Sequence, residues 1–221
     1  MATLLSGHDV TVTSGRVTLR GLLGVPPDAR GVVLFAHGSG SGRLSSRNNF
    51  VARSLQDTGL ATLLIDLLTE DEERSDARTG HLRFNIDFLA QRLEAATDWL
   101  SQSAETRSLG IGYFGASTGA AAALVAAARK PEQVHAVVSR GGRPDLAGEY
   151  LSKVKAPTLL VVGGRDVPVI PLNEDAFAQL RCEKKLEIVA GASHLFEEPG
   201  TLEVVAKLAA SWFTTYLGAQ H

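Results

Sequence analysis

One short segment constrains the fold of this chain more than any other part of its sequence. Residues 109–114 form an apolar run typical of a buried strand, and residues 120–129 form an alanine-rich run typical of a helix. Between them, residues 115–119 read Gly-Ala-Ser-Thr-Gly, a Gly-x-Ser-x-Gly turn. On such a turn a serine sits in a strained backbone with its hydroxyl above the sheet, near the free N–H groups of the helix start. The pattern predicts a nucleophile at Ser117, although a small-residue packing turn would have the same composition.

Apolar runs and helical patterns alternate along most of the chain. Further apolar runs occupy residues 31–36, 61–65, 134–138, 158–162 and 186–189, and helical patterns occupy residues 50–58, 82–100, 175–180 and 202–217. This alternation predicts βαβ units, and therefore a mostly parallel sheet with helices on both faces. Strands covered on both faces have continuous apolar runs of this kind.

The N-terminal part has a different pattern. Residues 8–13 and 16–23 alternate apolar and polar side chains across a Ser-Gly turn, which is typical of an antiparallel hairpin. With this hairpin at one edge of the sheet, we expect an α/β fold of about eight strands. No internal repeat, low-complexity segment or linker interrupts the pattern, so we expect a single domain over residues 1–221.

The composition argues against several classes of partner. The chain has 22 Lys and Arg residues against 24 Asp and Glu residues, a formal net charge of −2, so it lacks the basic excess of a general nucleic-acid binder. No apolar stretch approaches the ~20 residues of a membrane helix, and residues 1–9 lack the pattern of a signal peptide. Cys182 is the only cysteine, which excludes an intramolecular disulfide and fits a reducing compartment. We expect a cytoplasmic monomer or homodimer without nucleic-acid or membrane partners.

Motifs for metal ions and nucleotides are absent from the sequence. It contains no His-Glu-x-x-His motif, no paired cysteines and no clustered histidines, which argues against a metal site. It also contains no Gly-x-x-x-x-Gly-Lys-Ser/Thr motif and no strand-linked Gly-x-Gly-x-x-Gly motif. The absence of both nucleotide motifs argues against nucleotide binding.

Partners for a nucleophilic serine lie at the ends of other predicted strands. A serine hydroxyl needs a base, an acid that orients the base, and donors for the developing oxyanion. His194 follows the last predicted strand, and Asp166 follows the one before it. The candidate oxyanion donors are the N–H groups of Thr118, next to the nucleophile, and of Ser39, in a glycine-rich loop. All five residues fall on the side where ligands bind in open α/β sheets.

Four ordered motifs carry a family resemblance over nearly the whole chain. They are His-Gly-Ser-Gly at residues 37–40, Gly-Ala-Ser-Thr-Gly at 115–119, Gly-Gly-Arg-Asp at 163–166 and Ser-His at 193–194. Together they resemble the α/β-hydrolase superfamily, and the short chain resembles its dienelactone hydrolase-like branch. The resemblance implies that Ser117, Asp166 and His194 form a catalytic triad that hydrolyses an ester-like bond of a small-molecule substrate. It also implies that the reaction needs no cofactor.

Two departures from the dienelactone hydrolases are visible. Those enzymes use a cysteine nucleophile, where this chain has Ser117, and they carry a glutamate in the loop after the third strand. Residues 38–49 of this chain contain no acid. The resemblance therefore implies a serine esterase. A thioesterase, an amide-cleaving enzyme or a non-catalytic ligand-binding protein of the same fold would use the same residues.

Other residues compete for the same roles. His37 is the main alternative base, but a His-Gly pair at this position usually braces the oxyanion loop in the family. His135 lies within a predicted strand and is expected to pack in the core. Asp145, which follows the sixth strand, is the alternative acid, because some α/β-hydrolases place the acid there. We favour Asp166 because of its Gly-Gly-Arg-Asp context.

Clues to the substrate are few. Only residues 143–157 separate strands six and seven, where many relatives insert a helical lid, so we expect an open pocket for small acyl groups. Residues 68–80 form a highly charged segment that is either a solvated crossover or a rim over the ligand pocket. Four arginines lie near the predicted site: Arg43 and Arg47 follow the oxyanion loop, and Arg140 and Arg143 flank a Gly-Gly pair after strand six. Scattered arginines are usually surface residues, but two that face Ser117 would favour an anionic group on the substrate, and Arg43 and Arg140 are the candidates.

Overall fold

The computed structural model describes residues 7–218 and contains one eight-stranded sheet. The strands are β1 (His8–Ser14), β2 (Val17–Gly24), β3 (Val32–Ala36), β4 (Ala61–Ile65), β5 (Ile111–Ala116), β6 (Val134–Arg140), β7 (Thr158–Gly163) and β8 (Lys184–Val189). Their order across the sheet is β1-β2-β4-β3-β5-β6-β7-β8. The expected mostly parallel sheet with an N-terminal antiparallel hairpin is confirmed. Residues 1–6, most of the segment for which we expect no signal peptide, lie outside the described part.

Helices cover both faces of this sheet. They are α1 (Ser46–Gln56), α2 (Glu70–Asp76), α3 (Ile86–Gln102), α4 (Thr118–Arg129), α5 (Ile170–Gln179) and α6 (Thr201–Leu217), with a 3₁₀ segment at Pro144–Lys153. One apolar core lies between the sheet and α3, α4 and α5, and a second lies between the sheet and α1 and α6. None of the helices between residues 7 and 218 is long and apolar enough to cross a membrane.

The charged segment at residues 68–80 contains a helix that apolar periodicity does not reveal. The side chain of Thr69 accepts a hydrogen bond from the N–H of Glu72, and the Glu72 carboxylate accepts one from the N–H of Thr69 at 2.8 Å. This reciprocal capping starts α2. Four acidic residues in the first turn also stabilise the helix, because negative charges interact favourably with the positive N-terminal end of its dipole. The helix depends on its cap and its charges more than on apolar contacts.

Helix α1 also begins earlier than its apolar pattern indicates. The helical pattern starts at Phe50, whereas α1 starts at Ser46, because Ser45 caps the N–H of Asn48. The Asn49 side chain donates to the carbonyls of Arg43 and Ser45, both at 2.8 Å. Buried polar side chains therefore fix this helix start and the loop that precedes it.

The sheet topology determines where a site can form. From β3 the chain crosses to β4 on one side, while β5 lies on the other side of β3. The connections that leave the carboxyl ends of β3 and β5 therefore diverge and open a crevice, the usual ligand position in α/β sheets. Ser39 follows β3 and Ser117 follows β5, so both border this crevice.

Gly119, in the first turn of α4, allows the helix to pack directly against the end of β3. A Cβ atom at this position would lie 2.3 Å from the carbonyl oxygen of Ala36 and 2.5 Å from that of His37. Alanine is ordinarily the better helix residue by about 1 kcal/mol. Here the added methyl group meets backbone that cannot move without displacing the loop that carries Ser39. The close packing of the turn therefore depends on this glycine.

We expect Gly119→Ala to lower the free energy of unfolding by about 3 kcal/mol, the upper end of the usual overpacking cost. Gly15→Ala is the matched control: a Cβ at Gly15 has nothing within 4 Å, so only its positive φ of 61° opposes the change. That control should cost about 1 kcal/mol. Urea denaturation of both variants measures the difference. Equal urea midpoints for Gly119→Ala and the unmodified protein would contradict the predicted clash between the added methyl group and the end of β3.

Candidate active site

Ser117 occupies a strained turn between β5 and α4. Its φ is 51° and its ψ is −124°, a combination that non-glycine residues rarely adopt and that costs about 1–3 kcal/mol. Two backbone contacts hold it there, one to the last residue of β6 and one to the loop that follows. The Ser117 N–H donates to the carbonyl of Arg140 at 3.4 Å, and the N–H of Arg143 donates to the Ser117 carbonyl at 3.1 Å. The serine side chain is thus left partly exposed at the carboxyl edge of the sheet.

Asp166 and His194 lie in direct contact. His194 Nδ1 is 2.6 Å from Asp166 Oδ2, and the aspartate side chain is only 10% exposed. The turn after β7 fixes the aspartate, since its N–H donates to Gly163 and its carbonyl accepts from Val169. An imidazole whose Nδ1–H donates to a buried carboxylate presents Nε2 as the free acceptor.

The loop that carries His194 is held by Glu198. One carboxylate oxygen, Oε2, accepts from the N–H of Ser193 at 2.9 Å and from its hydroxyl at 3.2 Å. These hydrogen bonds lower the pKa of Glu198. Sequence reasoning missed this residue, although its position a few residues beyond a loop serine is a signal for such a local bond.

The turn at residues 140–143 brings Ser117 and His194 to the same place. A Cβ atom at Gly141 would lie 2.8 Å from the His194 carbonyl oxygen and 3.7 Å from Nδ1 of its ring. The carbonyl of Arg140, the residue before Gly141, accepts a hydrogen bond from the Ser117 N–H. The described residues show no hydrogen bond between the Ser117 hydroxyl and the His194 ring, a looseness that is common before a substrate binds.

The loop after β3 passes directly over Ser117. A Cβ atom at Gly38 would lie 2.9 Å from Ser117 Cβ, so only glycine fits at this point. The approach places Ser39 beside Thr118, with their side-chain oxygens 3.4 Å apart. Within residues 7–218, neither the Ser39 N–H nor the Thr118 N–H donates to another protein group. Two free backbone donors therefore border the nucleophile.

His37 braces this loop through both ring nitrogens. Its Nδ1 lies 2.9 Å from the Gly38 carbonyl, and its Nε2 accepts from the N–H of Leu67 at 2.9 Å. Burial lowers the pKa of His37, which keeps the ring neutral in this arrangement. Both nitrogens of the His37 ring are therefore engaged in joining the loop to the end of β4. The His194 ring, in contrast, has a partner only at Nδ1 among the described residues.

The alternative acid, Asp145, is engaged elsewhere. Its two carboxylate oxygens accept from Nε and Nη2 of Arg143, at 2.9 and 2.8 Å. This bidentate pair stabilises the loop after β6. Asp166, in contrast, faces the imidazole of His194.

A cavity of about 620 Å³ opens beside Ser39 and Thr118. It extends along residues 40–47 towards α2, so the charged segment at 68–80 does border a cavity next to the site. Asp76 fixes the far wall, because it accepts from the N–H of Leu82 at 2.6 Å and from Arg83 Nε at 2.7 Å. Burial opposes ionisation of Asp76, but these bonds outweigh it and lower its pKa to about 2.

The two candidate substrate-binding arginines have different surroundings. Arg43 lines the cavity, but its guanidinium is paired with Asp66, which also accepts its backbone N–H at 2.7 Å. Arg140 is buried behind the site and donates to Asn48 Oδ1 at 3.2 Å. Arg47, which follows the same loop as Arg43, lies near Arg140 and also lines the cavity. No cluster of three or more potential metal ligands occurs within residues 7–218.

The family model for the dienelactone hydrolase family matches residues 19–216. The chain belongs to this family. A crystal structure of a dienelactone hydrolase from Anabaena variabilis is 61% identical, with a TM-score of 0.95 over 97% of this chain and 100% of that one. An α/β serine hydrolase without a lid, from Xanthomonas campestris, shares the fold at 20% identity, with a TM-score of 0.77 over 98% of this chain and 97% of that one.

Curated relatives in Mycobacterium tuberculosis strains CDC 1551 and H37Rv are longer than the matched region. They are 56% identical over 213 residues, which make up 96% of this chain and 47% of each relative. Both have the name "Putative phosphoribosyl transferase". The chain therefore spans about half the length of these relatives.

Proposed function

We propose that this member of the dienelactone hydrolase family is a serine hydrolase that cleaves small carboxylic esters. The observation that carries the proposal is the contact between Asp166 and His194 at the same sheet edge as the strained Ser117. The family membership supports hydrolysis in general. The particular residues support an acyl-enzyme mechanism.

In the proposed reaction, the Ser117 hydroxyl attacks the ester carbonyl while His194 Nε2 takes its proton. Asp166 keeps the imidazole in the required tautomer and stabilises its charged form. The N–H groups of Ser39 and Thr118 stabilise the oxyanion of the tetrahedral intermediate, and the protonated His194 then gives its proton to the leaving alcohol. Water, activated by His194, cleaves the resulting acyl-enzyme and restores the serine.

The site also favours a small or protruding acyl group. The connection from β6 to β7 contains only a short 3₁₀ segment, and Ser117 is partly exposed. The name of the mycobacterial relatives indicates a different reaction. We propose hydrolysis for this chain because the region it shares with them matches a hydrolase family over residues 19–216.

The test is multiple turnover on matched substrates. An acetyl ester, an acetyl thioester and an acetyl amide that share the rest of their structure are incubated with the purified chain. We expect many product molecules per protein from the ester, and fewer from the amide, whose leaving group is poorer. Faster thioester cleavage at every concentration would identify a thioesterase. Release of one equivalent of product or less would indicate a ligand-binding protein and contradict the proposal.

A further inference from the structure

Arg140 is a buried cation without a carboxylate partner. Its side chain is only 6% exposed, and it donates through Nη2 to the neutral amide oxygen of Asn48. Its Nε and Nη1 atoms have no hydrogen-bond partner, and no ion pair to Arg140 occurs among the described residues. A buried charge is costly unless it is paired. This arrangement therefore calls for a compensating anion.

A second arginine adds to the same positive potential. Burial and the nearby charge of Arg47 lower the pKa of Arg140 to about 10, so Arg140 remains charged at neutral pH. Arg47 Nη1 donates to Glu197 Oε1 at 3.1 Å, but this glutamate side chain is 61% exposed. Exposed ion pairs are weak. The Arg47 Nε atom has no partner.

The start of α1 faces the cavity at the same point. Ser46 and Arg47, the first two residues of this helix, line the cavity together with Ser39 and Thr118. Their N–H groups have no acceptor within the helix, and a helix N-terminus carries about half a positive charge. Arg140 contacts the same first turn through Asn48. A ligand at the proposed oxyanion donors could therefore extend to this cationic end of the cavity.

A purely structural role would explain only part of this arrangement. The bond from Arg140 to Asn48 links β6 to α1, but an uncharged donor would make it without the cost of a buried charge. Two guanidinium groups and a helix start lie at this end of the cavity. The cavity also contains carboxylates: Asp66, Asp76 and Glu70 are paired with Arg43, Arg83 and Arg20, and burial raises the pKa of Glu73. A phosphate group has three strong acceptor oxygens, so it can accept from several of these N–H donors at once, more than a single carboxylate can.

We propose that Arg47 and the first turn of α1, with Arg140 behind them, form a subsite for a phosphate group on the substrate. The inference rests on the proposed ester hydrolysis and adds a substrate class to it: small esters whose acyl or alcohol part is phosphorylated. Arg47 and the helix N–H groups contact the phosphate, and Arg140 supplies positive potential from behind. The phosphate stays intact, because the bond that breaks is the carboxylic ester bond.

Two acetyl esters of similar size test the substrate class: acetyl glycerol 3-phosphate and glycerol monoacetate. We expect the unmodified protein to favour the phosphorylated ester by at least about tenfold in kcat/KM, as one charged hydrogen-bonding contact provides. Arg47→Gln should lower this preference by about tenfold to a hundredfold. Arg53→Gln removes a charge from the last turn of the same helix and is the matched control, with an unchanged preference expected.

Variants of Arg140 test the charge behind the helix. Arg140→Lys should keep more of the preference than Arg140→Met, whereas a purely structural role predicts no difference in preference between them. If both Arg140 variants fail to fold, Arg47→Gln still tests the phosphate subsite, because the Arg47 side chain borders the cavity. An unchanged preference in Arg47→Gln, or no preference in the unmodified protein, would overturn the subsite.

Direct binding of inorganic phosphate separates the two proposals. Calorimetry should show binding to the unmodified protein that Arg47→Gln weakens at least about tenfold. This readout needs no turnover. Hydrolysis of glycerol monoacetate without phosphate binding would overturn the subsite and leave the esterase proposal intact. Phosphate binding that depends on Arg47, without hydrolysis of either ester, would support the subsite as an anion site and overturn the esterase proposal.

Discussion

Replacing Ser117 with alanine is expected to lower kcat for a model ester by about 10⁶-fold, the loss seen when one member of a cooperating triad is removed. The reason is that no acyl-enzyme can form without the hydroxyl. The fold should persist, because no hydrogen bond of the Ser117 side chain is found among the described residues and the turn is held by backbone contacts. Steady-state kinetics on the purified variant provide the measurement.

Ser152→Ala is the control for this prediction. Its hydroxyl is exposed, donates to the Glu149 carbonyl and does not line the cavity beside the site, so turnover should match that of the unmodified protein. A loss of less than about tenfold in Ser117→Ala would mean that another residue is the nucleophile.

The second large effect is expected for Asp166→Asn, which should lower kcat by about 10⁴-fold. The amide can turn its NH₂ group towards His194 Nδ1, and the ring then carries its proton on Nε2, where it cannot accept one from Ser117. The aspartate–histidine geometry is otherwise retained, so KM should change little. The kinetics are compared with those of Asp145→Asn.

The Asp145→Asn variant decides between the two candidate acids. Asp145 pairs with Arg143, so its replacement should lower kcat by less than about tenfold, the modest cost of a partly exposed ion pair. Equal losses in the two variants would show that both loops are needed to hold the site. A larger loss in Asp145→Asn would reverse the assignment.

Much of the fold could be predicted from the sequence because parallel strands have a distinctive composition. β3, β4 and β5 are buried along their whole length, and each appears in the sequence as a continuous apolar run. α2 could not be found in that way, because its start depends on the reciprocal bond between Thr69 and Glu72 within a charged segment. A search for capping boxes would have located it.

The candidate catalytic residues were predictable for a topological reason. In a parallel sheet the carboxyl ends of neighbouring strands meet at one edge, so residues that follow separate strands converge there. Asp166 and His194 show this: they are 28 positions apart and in contact. Their catalytic roles remain a prediction that the geometry supports.

The cationic end of the cavity could not be predicted in the same way. Arg140 and Asn48 are 92 positions apart, and their contact depends on how α1 packs over the sheet. Nothing in the sequence shows that Asp66 pairs with Arg43 and leaves Arg140 without a carboxylate. The sequence therefore indicated arginines near the site without showing which of them carry unpaired charge.

The central claim is that Ser117 is an activated nucleophile, and covalent labelling tests it most directly. The protein and Ser117→Ala are each incubated with a fluorophosphonate probe, and intact mass is measured before and after. We predict one adduct on the unmodified protein and none on the variant. An unlabelled but well-folded protein, or an adduct that persists in Ser117→Ala, would contradict the claim.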